Sequence, residues 1–258
     1  VGFEGLLYPG RADHFIDWNV LFHGLYEADD LRLLAAVAGA YDRPVFLDVG
    51  ANNGHHSLFM SAHAATVHAF EPNPGARRVL AERIDLNRLS NVVIHDCALG
   101  AADEHRRLYV SDQPEFPGAS LIPGVNRTAT DKFIDVRVCN GDCYLGENDI
   151  TRFDLIKIDV EGFESAVLDG LRRNIERNRP VVLVEISQES RSRFGALAEF
   201  QDRFPEGYRF HVVKRASGLS ISPRLVPLNE DVYRTGGNVF CVSAERAELF
   251  EACANAMS

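Results

Sequence analysis

Short apolar runs alternate along the chain with stretches whose apolar residues recur at helical spacing. Runs of the first kind are typical of strands buried on both faces of a parallel sheet, and the second kind is typical of amphipathic helices. The predicted strands are residues 45–49, 66–70, 91–96, 153–159 and 180–186. The predicted helices between and before them are residues 27–40, 57–65, 77–89 and 165–177.

This alternation predicts an α/β fold in which right-handed crossovers join parallel strands. We expect a doubly wound, mostly parallel, seven-stranded sheet with helices on both faces, of the Rossmann-like kind. Its last strand is antiparallel, because residues 209–213 and 238–242 read as a closing hairpin at one edge. Residues 106–110 and 133–138 are also strand-like, and residues 113–124 between them read as a long loop.

The chain is expected to form one domain. Within it, residues 1–43 form a helical and irregular segment that caps the site, residues 44–243 form the core, and residues 244–258 form a terminal helix. No repeat or low-complexity linker divides the sequence.

Composition narrows the class of protein. The 258 residues are 46% hydrophobic and 25% charged, as in an ordinary folded globular protein. The formal net charge of −10 disfavours nucleic acid as a partner. No apolar stretch is long enough to cross a bilayer, and the odd number of cysteines is typical of reduced thiols. We therefore expect a cytoplasmic protein with no integral membrane segment. The sequence does not decide the oligomeric state, and a homo-oligomer is one of the possibilities.

A glycine-bearing turn follows the first predicted core strand, in the sequence Asp48-Val-Gly-Ala-Asn-Asn-Gly54. Gly50 and Gly54 allow a sharp turn and the close approach of a ligand, and Asn52 lies between them. Asp48 has two possible roles, which are holding the turn and receiving the amino group of a ligand. A dinucleotide-binding turn would have glycine where the chain has Asn52 and His55, which argues against NAD.

Acidic residues end the next two predicted strands. Glu71 lies about 20 residues beyond Gly50, where a carboxylate is suited to accept both hydroxyls of a ribose. The alternative is an acidic residue that stabilises a helix N-terminus. Asp96 could accept a hydrogen bond from an adenine amino group, with Cys97 forming part of the pocket wall. An equal alternative is that Asp96 only stabilises the turn at the end of the strand.

A second block, residues 154–164, ends the fourth core strand and contains Lys157, Asp159 and Glu161. The carboxyl ends of the strands of an open α/β sheet border the ligand crevice, so Asp159 and Glu161 should face the same crevice as Gly50. Lys157 interrupts an apolar strand and is expected to pair with one of the acids, since a buried unpaired ammonium is costly.

The sequence resembles the FkbM-type methyltransferase family from about Gly24 to Val242. The Lys-Ile-Asp-Val-Glu-Gly sequence at residues 157–162 is the most distinctive of its motifs. Two departures are Asn53, where the family usually has an apolar residue, and the adjacent His55 and His56. The similar segments are residues 48–54, 70–74, 97–100, 155–164 and 184–186.

The resemblance implies a class I methyltransferase fold with S-adenosylmethionine as methyl donor. It implies transfer to a hydroxyl of a sugar, a lipid-linked glycan or a related natural product. Asp48, Gly50, Asn52, Gly54, Glu71, Asp96, Cys97 and Asp159 are then the expected cofactor-binding residues.

Transfer of a methyl group to a hydroxyl requires a group that accepts the hydroxyl proton. The candidates are His56, Asp159 and Glu161, and histidine is favoured by its ordinary pKa. Asp159 and Glu185, at neighbouring strand ends, are also candidate ligands for Mg²⁺. An NAD-dependent oxidoreductase and a non-catalytic nucleoside-binding module are the alternative functions.

Overall fold

The computed structural model of the chain describes residues 2–111, 119–125, 132–215 and 223–257. The strands in these residues are β1 (Gly2–Phe3), β2 (Leu6–Leu7), β3 (Val45–Val49), β4 (Thr66–Phe70), β5 (Val92–His95), β6 (Ala98–Gly100), β7 (Glu104–Val110), β8 (Ala119–Ser120), β9 (Phe133–Asn140), β10 (Leu155–Ile158), β11 (Val181–Ile186), β12 (Tyr208–Arg215), β13 (Pro223–Pro227) and β14 (Gly237–Ser243). The helices are α1 (Phe15–His23), α2 (Ala28–Ala38), α3 (His55–Ser61), α4 (Pro74–Asn87), α5 (Gly141–Glu147), α6 (Glu164–Gly170), α7 (Arg172–Asn178), α8 (Gln188–Phe194), α9 (Leu197–Gln201), α10 (Glu230–Thr235) and α11 (Ala244–Ala256).

The central sheet has the strand order β13-β12-β14-β11-β10-β3-β4-β5. The strands from β5 across to β11 are parallel to one another, and β14 runs antiparallel to β11. The first strand of this sheet in chain order, β3, lies in its middle, and the next two, β4 and β5, follow outward on one side. The chain then returns to β10 on the other side of β3. The predicted doubly wound α/β fold is therefore confirmed, with its switch point between β3 and β10.

The central sheet has one strand more than expected. The predicted hairpin of β12 and β14 forms, but β13 pairs with the outer side of β12. Prolines at positions 223 and 227 bound β13, and an edge strand tolerates them because one side of its backbone needs no partner.

A second sheet of four strands has the order β6-β9-β7-β8. It contains both strand-like segments predicted between the third and fourth core strands. The loop predicted at residues 113–124 lies partly outside the described residues, and the described part of it includes β8.

Both faces of the central sheet are buried, as the apolar runs predicted. On one face, Leu47 and Val49 of β3 belong to the hydrophobic core that the sheet forms with α5 to α9. On the other face, Phe46 belongs to the core formed with α2, α3, α4 and α11. The same alternation places the polar Asp48 and Lys157 on the second of these faces, where they are direct register partners on β3 and β10.

No helix in the part of the chain that the structure describes is long and apolar enough to cross a membrane. The five cysteines are all free thiols. The extent of a single domain and the division at residues 43 and 243 stay predictions.

Candidate active site

A cavity of about 490 Å³ lies at the carboxyl ends of β3, β4, β10 and β11. This is the place where the fold predicts a ligand crevice, at the switch point of the sheet. The expected site residues that line it are Gly50, Asn52, His56, Glu71, Asp159, Glu161 and Glu185. The cavity therefore joins the glycine turn to the acidic residues that follow β10 and end β11.

The turn after β3 needs glycine at its first position. Gly50 has a φ of +85°, and a Cβ built on it would overlap the carbonyl oxygen of Asp159. The backbone N–H groups of Gly50 and Ala51 both donate to the carbonyl oxygen of Phe70, at 3.0 Å each. The turn is thereby fixed to the ends of β4 and β10 with its backbone at the cavity wall.

Asp48 and Gly54 do not line the cavity, and their contacts are with the helices that pack beside the turn. The hydroxyl of Ser57 in α3 donates to Asp48 Oδ2 at 2.6 Å, which ties the strand to the helix that follows. Gly54 has a φ of +83°, and a Cβ there would overlap Leu80 of α4. This contact favours the first of the two roles predicted for Asp48, holding the turn.

Glu71 lines the cavity directly after β4. Its Oε2 accepts from the backbone N–H of Asn52 and its Oε1 from that of Asn73, both at 2.8 Å. Burial raises the pKa of Glu71 to about 7, although these two hydrogen bonds act in the opposite direction. The cap of α4 is supplied by Asn73, whose side chain accepts from Gly75 N at 2.9 Å. Glu71 is thus not the capping residue of α4, and each of its oxygens has a further lone pair for a ligand hydroxyl.

Asp96 and Cys97 are not brought to the cavity. The Asp96 carboxylate is 69% exposed and accepts from Arg137 Nη2 at 3.0 Å. The Cys97 side chain is buried in the core, and Ala98 and Leu99 line the cavity instead. The expected contact between Asp96 and an adenine amino group therefore gains no support from the geometry, because β5 ends before Asp96 and its side chain turns toward β9.

Lys157 is 3% exposed, and its Nζ donates to Asp159 Oδ2 at 2.6 Å. Burial alone would lower the pKa of Lys157, but the carboxylates of Asp159, Glu27 and Asp48 outweigh that effect and raise it. The ammonium is therefore charged and paired, as the sequence predicted.

Glu185 and Glu161 lie close enough to this ion pair to interact with both of its charges. The charge of Asp159, together with burial and a hydrogen bond between the two carboxyl groups, raises the pKa of Glu185, so this pair holds a proton. Burial and the charge of Asp159 raise the pKa of Glu161 to about 7. Glu161 also has a φ of +51°, a left-handed conformation that costs energy in residues other than glycine and is concentrated at functional sites.

The geometry favours this ion pair over the expected Mg²⁺ site at Asp159 and Glu185. Asp159 is already paired with the Lys157 ammonium, and the raised pKa of Glu185 keeps that carboxyl group protonated near neutral pH, so little negative charge is left for a cation. Among the described residues, no group of three or more His, Cys, Asp and Glu side chains is arranged to hold a metal ion.

His55 and His56 begin α3, and both line the cavity. His56 Nε2 lies 3.1 Å from Glu27 Oε2, and burial lowers the pKa of His56 well below its ordinary value. His55 Nε2 lies 2.9 Å from the carbonyl oxygen of Tyr26. His56 is therefore neutral near pH 7 and is a weaker base than its ordinary pKa suggests.

Phe15, Ile16 and Tyr26 also line the cavity. They come from the N-terminal segment that was expected to cap the site. No local pattern identifies Ile16 and Tyr26, because only the packing of this segment beside the ends of the core strands brings them there.

The fold and the cavity define a doubly wound α/β protein with a buried carboxylate, Glu71, in a cavity at the carboxyl ends of its strands. Residues 48–211 match the model of the methyltransferase FkbM domain, and the chain belongs to this family.

Three known proteins illustrate the similarity. Methyltransferase 1 of Beauveria bassiana is 31% identical over 52% of this chain and 61% of its own length. Hexuronic acid methyltransferase AglP of Haloferax volcanii is 31% identical over 62% of each chain. The crystal structure of methyltransferase FkbM from Methylobacillus flagellatus has a TM-score of 0.48 and 17% identity, and covers 77% of this chain and 43% of that one. The chain thus spans about three fifths of the length of the curated relatives it matches.

Proposed function

We propose that this chain is an S-adenosylmethionine-dependent methyltransferase that methylates a hydroxyl group of a sugar, glycolipid or related natural product. One observation carries the proposal: the same cavity is lined by Glu71, a buried carboxylate suited to a nucleoside, and by Glu161, an ionisable carboxyl group. Membership of the FkbM family supports it. The relative AglP is named for a hexuronic acid, which supports a carbohydrate-type acceptor.

The residues around the glycine turn fit the cofactor. Gly50 lets the turn pack against the carbonyl oxygen of Asp159 with its backbone at the cavity wall, and the Glu71 carboxylate offers acceptors for ribose hydroxyls. Ala98 and Leu99 give an apolar wall beside them. When bound, S-adenosylmethionine supplies a methyl group on a positively charged sulfur.

Glu161 is the candidate that best fits the role of proton acceptor. A general base works best when its pKa lies near the working pH, and the pKa of Glu161 is about 7. Asp159 is held by Lys157 and Glu185, and the lowered pKa of His56 makes it a weak base. We infer that Glu161 takes the proton of the acceptor hydroxyl, while the Lys157–Asp159 pair fixes the surrounding backbone and charge.

The rate of methyl transfer should rise with pH through about 7. Only the ionised Glu161 carboxylate accepts a proton, so the active fraction grows as pH passes upward through its pKa. The test is the initial rate of S-adenosylhomocysteine formation from about pH 5 to about pH 9, at saturating cofactor with a panel of alkyl glycosides. A rate that falls as pH rises through 7 would exclude a carboxylate base. No methylation of any glycoside, with the cofactor bound, would overturn the proposed function.

A further inference from the structure

We propose that the exposed aromatic face of α1 binds an apolar tail of the acceptor, so that the preferred acceptor is a sugar joined to an alkyl or aryl group. This face consists of Phe15, Trp18 and Phe22, the aromatic ridge. The inference rests on the proposed function and names the acceptor class of the same site.

The helix α1 turns its acidic residue inward and its aromatic residues outward. Asp17 is buried, and its Oδ1 accepts from Arg83 Nη2 at 2.8 Å. The aromatic side chains face solvent instead, since Phe15 is 49% exposed, Trp18 41% and Phe22 65%. An ordinary surface helix turns its apolar side to the core and its charges to water. The packing of the fold therefore does not account for the outward aromatic residues.

The three aromatic residues form one patch. Their spacing of three and four residues places them on the same side of the helix, and the ring centroids of Trp18 and Phe22 are 5.1 Å apart. Three of the seven large apolar side chains that are exposed in the described part of the chain belong to this patch. A contiguous apolar patch of this kind is typical of a binding surface, whereas single exposed apolar residues are not.

The ridge begins at the mouth of the cavity. Phe15 lines the cavity and is the most exposed of the described residues that do so. Its ring centroid lies 5.7 Å from that of Tyr26, which also lines the cavity. Burial and nearby carboxylates, among them that of Asp159, raise the pKa of Tyr26, so its hydroxyl lies within reach of the acidic residues of the site. The ridge is thus continuous with the acidic part of the cavity.

The size of the cavity leaves little room for a long acceptor. Its volume of about 490 Å³ lies in the lower half of the range of roughly 300–1,000 Å³ that is usual for the pocket of one ligand. The cofactor is expected to take most of this space, which leaves room beside it for the reacting sugar. The rest of a larger acceptor has to leave through the mouth, where the ridge offers an apolar surface.

Charge and area favour the acceptor over two other occupants of the ridge. Helices that lie on a membrane surface are rich in lysine and arginine, whereas Phe15–His23 contains neither and the chain has a net charge of −10. Three half-exposed aromatic side chains offer roughly 300 Å² of apolar surface, and each partner in a stable dimer buries about 800 Å². The patch therefore fits the tail of a small ligand better than a bilayer or a second copy of the chain.

Trp18 is the only tryptophan of the chain, so its fluorescence reports directly on the ridge. The test compares octyl β-glucoside, below the concentration at which it forms micelles, with methyl β-glucoside, at saturating S-adenosylhomocysteine. We expect octyl glucoside to shift the Trp18 emission to shorter wavelength and methyl glucoside to leave it unchanged. With S-adenosylmethionine instead, kcat/KM for octyl glucoside should exceed that for methyl glucoside at least about tenfold, because several methylene groups leave water.

A matched pair of variants tests whether the ridge is the cause. Phe22→Ser removes a ring that does not line the cavity, and should lower the ratio of kcat/KM for octyl over methyl glucoside at least about threefold. Leu86→Ser is the control, because Leu86 is 47% exposed on α4 and also lies outside the cavity. Its ratio should stay within about twofold of the native value. Equal ratios in the two variants would contradict binding on the ridge.

The fluorescence keeps a failure of this inference apart from a failure of the proposed function. An emission that octyl glucoside does not shift, or equal kcat/KM values for the two glucosides, would overturn the ridge and leave methylation itself to be judged separately. A shift with octyl glucoside but methylation of neither sugar would count against the proposed function and retain the apolar site. A shift caused by phosphatidylcholine vesicles or by a higher protein concentration, and not by octyl glucoside, would assign the ridge to a membrane or a second copy and overturn the inference.

Discussion

Replacing Glu161 by glutamine should lower kcat at least about a hundredfold, because a positioned general base contributes roughly that factor or more. Glutamine has nearly the same shape and cannot accept the hydroxyl proton. The backbone at position 161 has a φ of +51°, and glutamine meets the same cost there as glutamate, so the fold should be preserved. The affinity for S-adenosylhomocysteine should change less than kcat, since the residues expected to hold the cofactor are Glu71 and the glycine turn and not Glu161.

The matched control for this variant is Glu189→Gln. Glu189 contributes to the raised pKa of Glu161 but does not line the cavity, so it tests the loss of a nearby charge without the loss of the base. Its kcat should stay within about twofold of the native value. If Glu161→Gln and Glu189→Gln had equally small effects on kcat, Glu161 would not be the proton acceptor.

Gly50→Ala should destabilise the chain by at least about 3 kcal/mol and abolish cofactor binding. The φ of +85° is unfavourable for alanine, and the new methyl group would overlap the carbonyl oxygen of Asp159. Relief of that overlap requires the ends of β3 and β10 to move apart, which would deform the cavity at its centre.

Gly146→Ala supplies the comparison within the same chain. Gly146 lies in α5 at an ordinary helical φ, and a Cβ there would meet no atom within 4 Å. Alanine loses less backbone entropy on folding, so this variant should be more stable by roughly 0.5–1 kcal/mol. The measurement is the urea midpoint of unfolding for both variants. Equal midpoints for Gly50→Ala and the native chain would show that the turn does not need glycine.

The sequence predicted those parts of the site that follow from local pattern. The buried run at β3, the glycines after it and the acidic residue after β4 are close in the sequence, and the parallel sheet brings their ends together. The pairing of Lys157 was predictable for a similar reason, because a buried ammonium requires an anion within reach. The structure adds that the anion is Asp159. It also shows that Asp48 is the register partner of Lys157 on the neighbouring strand.

The parts that the sequence did not predict depend on packing between distant segments. Ile16 and Tyr26 reach the cavity only because α1 and the segment that leads into α2 pack beside the ends of the core strands. Asp96 looked like a strand-end ligand, but the second sheet supplies Arg137 and draws the carboxylate away. His56 looked like the better base from its ordinary pKa, and burial reverses that ranking. Burial and tertiary partners are not visible in a single sequence.

The most direct test of the central claim is a calorimetric titration of the chain with S-adenosylhomocysteine, repeated with NAD⁺ and with the Glu71→Gln variant. We expect micromolar binding of S-adenosylhomocysteine, no binding of NAD⁺, and an affinity in the variant that is weaker by about tenfold or more, since a charge-assisted hydrogen bond is lost. Binding of NAD⁺ in place of S-adenosylhomocysteine would contradict the methyltransferase account, and an unchanged affinity in Glu71→Gln would remove Glu71 from the cofactor site.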